Sequence, residues 1–218
     1  MHIKGQDLYE VIRGAIGWGL GCTTSTRGGG HTTGAPVCET IMAIDPKQAE
    51  KIYGITTATE PLSYEGKVKM VEFFEDFHRV NNSLGICHYN TVWSDVWLPG
   101  FPEFAELYSA ATGYETSVDA MRWKAKRQFN IEKAFNLLRT NLDRKDDYPT
   151  PRDMNEPVPD GKIAGWKLER KDWDTLLDEY YESHHWDKET SFPTRKCLEE
   201  LDLKNVADDL EKVGKLGR

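Results

Sequence analysis

Gly66-Lys67-Val68-Lys69-Met70-Val71-Glu72-Phe73-Phe74-Glu75-Asp76-Phe77-His78-Arg79-Val80-Asn81-Asn82-Ser83-Leu84-Gly85-Ile86-Cys87 is the stretch that decides how this chain folds. Met70, Phe73, Phe74 and Phe77 recur at i, i+3, i+4 and i+7, the spacing of one helix face, while Lys69, Glu72, Glu75 and Asp76 take the other side. The spacing predicts an amphipathic helix over 66–80 that ends at Asn81-Asn82. Ser83 to Cys87 then fall on a loop at the helix C-terminus, where backbone groups lack intrahelical partners. Gly85 permits a close bend, so Cys87 is a thiol presented by a tight turn. Such a thiol is either a small buried hydrophobe or a ligand.

Downstream the same helical period recurs. Pro102 to Ala111 reads as a helix stopped by Gly113, and Thr116 or Ser117 with Asp119 opens a long one. Its stripe begins with Val118, Met121, Ala125 and Phe129 and is continued by Ile131, Ala134, Phe135 and Leu138. Residues 146–165 hold Pro149, Pro151, Pro157 and Pro159, so an extended loop is expected there. Beyond it, Asp172 is placed to cap a helix with Trp173, Leu176, Leu177, Tyr180 and Tyr181 on one stripe, and 198–201 and 206–213 close the chain as short helices. Upstream, Asp45-Pro46 offers an N-cap with proline at the first helical position for a short helix that ends at Gly54. Before that, Gly14, Gly17, Gly19, Gly21, Gly28, Gly29, Gly30 and Gly34 punctuate a Thr-rich stretch, read as a loop that lines something. With almost no alternating strand pattern and no internal repeat, the fold class is mainly α.

The composition excludes several classes of function. The chain has 218 residues, 39% hydrophobic and 29% charged, ordinary for a soluble globular protein. Its net charge of −8 argues against a nucleic-acid-binding surface, which needs clustered Lys and Arg. The basic run Arg122, Lys124, Lys126 and Arg127 alternates with apolar positions and reads as a solvated helix face. No window reaches the roughly 18 apolar residues of a membrane helix, and Met1 to Asp7 lack the apolar core of a secretory signal. A cytoplasmic location is the resulting expectation. Cys22, Cys38, Cys87 and Cys197 form no Cys-x-x-Cys pair, which disfavours a zinc knuckle, a redox dithiol and a disulfide framework.

Arg27-Gly28-Gly29-Gly30-His31 is open to more than one reading. A glycine-rich loop cradles phosphate through its N–H groups and Arg27 brings a forked donor, yet neither a Walker lysine nor a dinucleotide-binding glycine spacing is present. A flexible turn with a surface histidine is the plainer alternative. His31 is also suited to acid–base work, because imidazole titrates near working pH and the loop offers little bulk to shield it. His184-His185 lacks a His-Glu-x-x-His pattern and is read as surface or interface. His78, on the polar flank of its helix, is uncommitted, as is His88, which is placed to tune a cluster through a hydrogen bond to sulfur. Trp93 and Trp97 read as core packing, and the tryptophans as too dispersed to define a pocket.

Taken together, His2-Ile3-Lys4-Gly5, Arg27 to His31, Leu84-Gly85-Ile86-Cys87, the block 127–139, Asp146-Asp147-Tyr148-Pro149, Asp178-Glu179-Tyr180-Tyr181 and Trp186-Asp187 through Leu203 resemble the C-terminal helical region of tungsten-dependent aldehyde:ferredoxin oxidoreductases. The resemblance covers nearly the whole chain and implies one helical region over 1–218, with an internal division, if any, at the loop 146–165. It implies Cys87 as a ligand of a 4Fe-4S cluster. It further implies Asn82, Leu84 and Gly85 as contacts to a tungsten (or molybdenum) bis-pyranopterin, Arg27 near the pterin phosphate, and His31 as the proton-transfer residue. Asn82 stands where the family has aspartate. The family's upstream Cys-x-x-Cys-x-x-x-Cys triad and N-terminal β domain are not in this sequence, so both cofactors would be shared with a missing N-terminal part or subunit. The implied activity is oxidation of a small aldehyde to a carboxylic acid with ferredoxin as acceptor. Reduction of an aromatic acyl-CoA by the same cofactors and a non-catalytic helical interaction subunit are the alternatives.

Overall fold

A computed structural model describes residues 1–8, 10, 12–40 and 44–218. Its only sheet among the described residues is a small antiparallel hairpin, β1 (His2–Ile3) and β2 (Gln6–Asp7), turned by Lys4 and Gly5 at positive φ. The rest is helix and loop: α1 (Ile16–Thr24), α2 (Pro46–Tyr53), α3 (Lys67–Leu84), α4 (Phe101–Thr112), α5 (Val118–Arg139), α6 (Pro151–Asn155), α7 (Arg170–Ser183), α8 (Arg195–Glu200) and α9 (Lys204–Lys212). The expected mainly α class holds. No helix among the described residues is long and apolar enough to cross a membrane.

Helix boundaries follow local chemistry. Asp45 caps α2 by accepting from the Lys47 N–H, with Pro46 at N1, and Gly54 closes the helix at φ 73°. Ser117 caps α5 through the Ala120 N–H, and Gly113 ends α4 at φ 75°. The N-cap of α7 is Glu169, and Asp172 sits in the first turn instead, where a carboxylate still favours the positive helix end. Within the proline-rich loop, Thr150 caps α6 with Pro151 in its first turn, so part of 146–165 is helical after all.

The glycine-rich stretch holds the main surprise. Residues 16–24 form α1, a helix buried along its whole length. Its glycines are there for close approach. A Cβ on Gly17 would lie 2.6 Å from the Met70 side chain, and one on Gly21 would lie 2.7 Å from the Ala35 backbone. Gly21→Ala is therefore expected to lower stability by about 1–3 kcal/mol, because backbone gives way less readily than a side chain. Thermal unfolding checks this; an unchanged melting temperature would contradict it.

α3 runs through the middle and packs on α1, α2, α5 and α7. Met70, Phe74 and Phe77 join Trp18, Tyr53, Trp93, Phe101 and Phe104 in one core, while Val68 and Val71 face a second with Ile16, Leu20, Phe129, Trp173 and Tyr181. The second core takes residues from both sides of 146–165. α3 is thus buried on more than one face, and its expected polar side is partly interior. The Tyr180 hydroxyl donates to the Glu75 carboxylate at 2.5 Å, and His184 Nε2 lies 3.0 Å from its other oxygen, so His184 is an interior residue and not a surface one. His185 remains exposed beside Glu200. Asp76 pairs with Arg122 Nε at 2.9 Å, and Arg127 donates to the Leu201 and Asp202 carbonyls, so the basic run is tied down at these positions. On α5 the buried line is Met121, Ala125, Phe129, Ala134 and Leu137; Ile131, Phe135 and Leu138 face outward.

Burial pushes the Asp76 carboxyl up to about 6 in spite of Arg122. A carboxyl raised in the folded state costs stability once its unfolded counterpart ionises. The unfolding free energy is therefore expected to fall as pH rises from about 4 to about 6, then level off. Asp76→Asn should flatten that segment of the stability profile; a slope like that of the wild type would contradict the assignment.

Candidate functional site

The last turns of α3 build the site. The helix continues past its expected end, so Asn82, Ser83 and Leu84 are helical and Gly85 closes it at φ 71°, its N–H reaching back to the Asn81 and Asn82 carbonyls. A left-handed C-cap suits glycine, and open space surrounds the position a Cβ would take. The chain then turns through Ile86 into Cys87, whose side chain is exposed. Cys22, Cys38 and Cys197 are buried, and burial pushes the thiols of Cys38 and Cys197 up to about 12 and about 11 and that of Cys22 upward too. Cys87 is therefore the cysteine whose side chain is open to an external ligand.

His31 lies between two indoles, stacked on Trp18 at 5.3 Å and 17° and on Trp93 at 5.9 Å and 10°. The sandwich corrects the expectation of a poorly shielded imidazole. His31 Nδ1 pairs with the Glu10 carboxylate, which sets the ring's orientation as a histidine–carboxylate dyad does. Trp93 also contacts His88 and His78, so the His31 stack reaches the residue next to Cys87. Trp97, by contrast, is 83% exposed and is not core. His88 Nδ1 lies 3.0 Å from the Asn81 amide, and among the described residues no hydrogen bond joins it to the Cys87 sulfur.

Arg27 and Asn82 come together at a groove of about 330 Å³ between the glycine loop, α3 and α5. His78, Arg79 and Phe135 line it too. The glycine loop is no ready phosphate cradle: Arg27 N–H donates to the Ser25 hydroxyl, Gly28 N–H to the Ser25 carbonyl and Gly30 N–H to the Gly28 carbonyl. Arg79 holds the groove's shape. Buried and stacked 3.8 Å over Phe129, it donates to the Thr33 and Glu75 carbonyls and to Glu132 on α5 at 2.8 Å. Leu84 faces a different, apolar hollow with Val80, Tyr108 and Met121. Of the sequence candidates, Arg27 and Asn82 thus share a groove, His31 and Cys87 are linked through Trp93 and His88, and Leu84 stands apart. Sequence reading missed Glu10, which carried no local signal. It left His78 uncommitted and missed Arg79, whose place three residues before Asn82 on one helix was the available clue.

Residues 1–203 match the family described as aldehyde ferredoxin oxidoreductase, domains 2 & 3. The chain belongs to the aldehyde ferredoxin oxidoreductase family. It is 32% identical over 206 residues to the tungsten-containing aldehyde ferredoxin oxidoreductase of Pyrococcus horikoshii, covering 93% of this chain and 30% of that protein. Against the enzyme of the same name from Pyrococcus furiosus the identity is 29% over 210 residues, with 93% and 31% covered. The chain therefore spans about 30% of the length of the curated relatives it matches. Among solved structures, the active site complex BamBC of benzoyl coenzyme A reductase with 1,5 dienoyl-CoA shares the fold, with a TM-score of 0.58, 23% identity, and 73% of this chain and 22% of that one covered. Among the described residues no group of three or more His, Cys, Asp or Glu is placed to hold a metal by itself.

Proposed function

We propose that this chain is the C-terminal part of a tungsten (or molybdenum) pterin oxidoreductase that converts an aldehyde and water to a carboxylic acid, passing two electrons one at a time to ferredoxin and releasing two protons to water. The observation that carries it is the single exposed thiol, Cys87, placed just beyond a left-handed glycine cap at the end of the α3 turn that presents Asn82 to the groove. The residues present fit the cofactors. An accessible sulfur beside open backbone suits one corner of a 4Fe-4S cluster, and a groove with an amide and a guanidinium suits a pterin with its phosphate. The bound tungsten pterin and cluster would supply the redox chemistry.

In this reading Cys87 anchors the cluster, Asn82 and Arg27 bind the pterin's polar edge and phosphate, and Gly85 shapes the turn between them. His31, oriented by Glu10, moves the proton. Ferredoxin, a small aldehyde and the upstream part of the enzyme are the partners, and the cytoplasm, where unpaired cysteines persist, is the compartment. The relatives' names favour aldehyde oxidation over aryl acyl-CoA reduction. The test is co-production with the upstream part that the relatives carry, followed by metal analysis and viologen-coupled assays. A brown, tungsten-containing complex that oxidises aldehydes is expected. A colourless, metal-free complex would favour a non-catalytic helical subunit, and activity confined to an aryl-CoA substrate would replace the aldehyde.

A further inference from the structure

α5 is apolar along two rows of side chains. Met121, Ala125, Phe129, Ala134 and Leu137 point into the cores, while Ile131, Phe135 and Leu138, spaced i, i+4 and i+7, form an outward row that is 43%, 60% and 38% exposed. A surface helix ordinarily turns charged and polar residues to water, and a helix that is apolar on more than one side is one that further chain covers. Three apolar side chains in one outward row mark a place where something else packs.

The surroundings of the row identify its occupant. Ile131 and Phe135 form one wall of the groove that holds Arg27 and Asn82, so whatever lies on the row also closes that groove. Leu138 continues the row toward the C-terminal end of α5. Glu132 and Arg139 flank it with charge, the Arg139 guanidinium lying 5.9 Å from the centre of the Phe135 ring, so an apolar centre is edged by a polar rim as in a protein interface. The chain spans about 30% of the length of its curated relatives, and the family it matches is described as domains 2 & 3, so an enzyme of this kind has further chain to cover a face that this one leaves open. A second copy fits less well, because each copy would bring a net charge of −8 to the contact.

We infer that the Ile131, Phe135 and Leu138 face of α5 is the docking surface for the upstream part of the enzyme, which buries this row and closes the groove beside it; this rests on the reading of the chain as the C-terminal part of a longer enzyme. The apolar row supplies the contact, and the closed groove keeps water from its polar walls.

The test is co-production of the full chain with an affinity-tagged upstream part, measuring the chain recovered per tagged partner for wild type, Phe135→Glu, Leu138→Glu and Tyr114→Glu; Tyr114 is 73% exposed in the turn between α4 and α5 and lies off the row. Phe135→Glu and Leu138→Glu are each expected to lower recovery about tenfold or more, because a charge would be buried in the apolar centre of the contact, while Tyr114→Glu should match the wild type. All three should melt as the wild type does, since the positions face water. Recovery of either row variant at the wild-type level would overturn the inference, as would an equal loss in Tyr114→Glu or no recovery of the wild type. Dimers of the wild-type chain alone that Leu138→Glu abolishes would give the row to a second copy and also overturn it. A complex that forms through the row but is colourless and metal-free would sink the oxidoreductase reading and leave the docking surface standing. Should a row variant fail to fold, hydroxyl-radical footprinting of the wild type decides: Phe135 is expected to be oxidised several-fold less in the complex than in the free chain, and equal oxidation in the two would contradict the inference.

Discussion

Replacing Lys67 with methionine is expected to destabilise the fold by about 3–5 kcal/mol, the range for stranding one member of a buried ion pair. Lys67 and Glu39 are paired with both side chains closed to water. The Glu39 carboxylate accepts the Trp18 N–H at 2.6 Å at the start of α1, and Lys67 also donates to the Thr57 carbonyl at 2.9 Å. Without Lys67, Glu39 must be buried as an uncompensated anion or take up a proton. Burial already raises its pKa, with Lys67 opposing. A carboxyl raised in the folded state costs stability above its unfolded pKa, so the variant's deficit should be larger at neutral pH than in mild acid. The double variant Glu39→Gln with Lys67→Met should recover much of the loss. Denaturant unfolding of the three variants checks this, and a Lys67→Met protein as stable as the wild type would contradict it. The consequence reaches the site, because α1 carries Trp18, one wall of the His31 sandwich.

How much of this was legible in the sequence depended on whether a local signal existed. α2, α4 and the start of α5 were readable because Asp45-Pro46, Gly113 and Ser117 act on their own neighbours. α1 was not. Glycine at every second position erases the helical period, and a helix buried all round has no polar face to reveal it. The stripe on α5 drifted for a similar reason: Ile131, Phe135 and Leu138 are as apolar as core residues, and only packing shows that Ala134 and Leu137 are the ones inside. At the site, the turn after α3 could be read because Gly85 and Cys87 are adjacent in sequence. The Glu10–His31 pair and the two indoles around His31 could not, since they are assembled from distant segments.

Cys87→Ser is expected to have the largest functional effect. A hydroxyl keeps the size and exposure of the side chain but is a poor ligand for iron where a thiolate is needed. The position is exposed and follows a cap with free space around it, so the fold should tolerate the change, and the melting temperature of the isolated chain should not move. The other cysteines cannot substitute. Cys22, Cys38 and Cys197 lie in the two cores with their thiols held protonated by burial.

The measurement is therefore the iron content, with the electron paramagnetic resonance of the reduced sample, of the chain co-produced with the upstream part of the enzyme, as wild type and as Cys87→Ser. The wild-type complex should hold about four iron atoms per copy and give a reduced-cluster signal, and the variant should lose most of both. Equal iron and an equal signal in the two complexes would contradict the assignment of Cys87 as the cluster ligand.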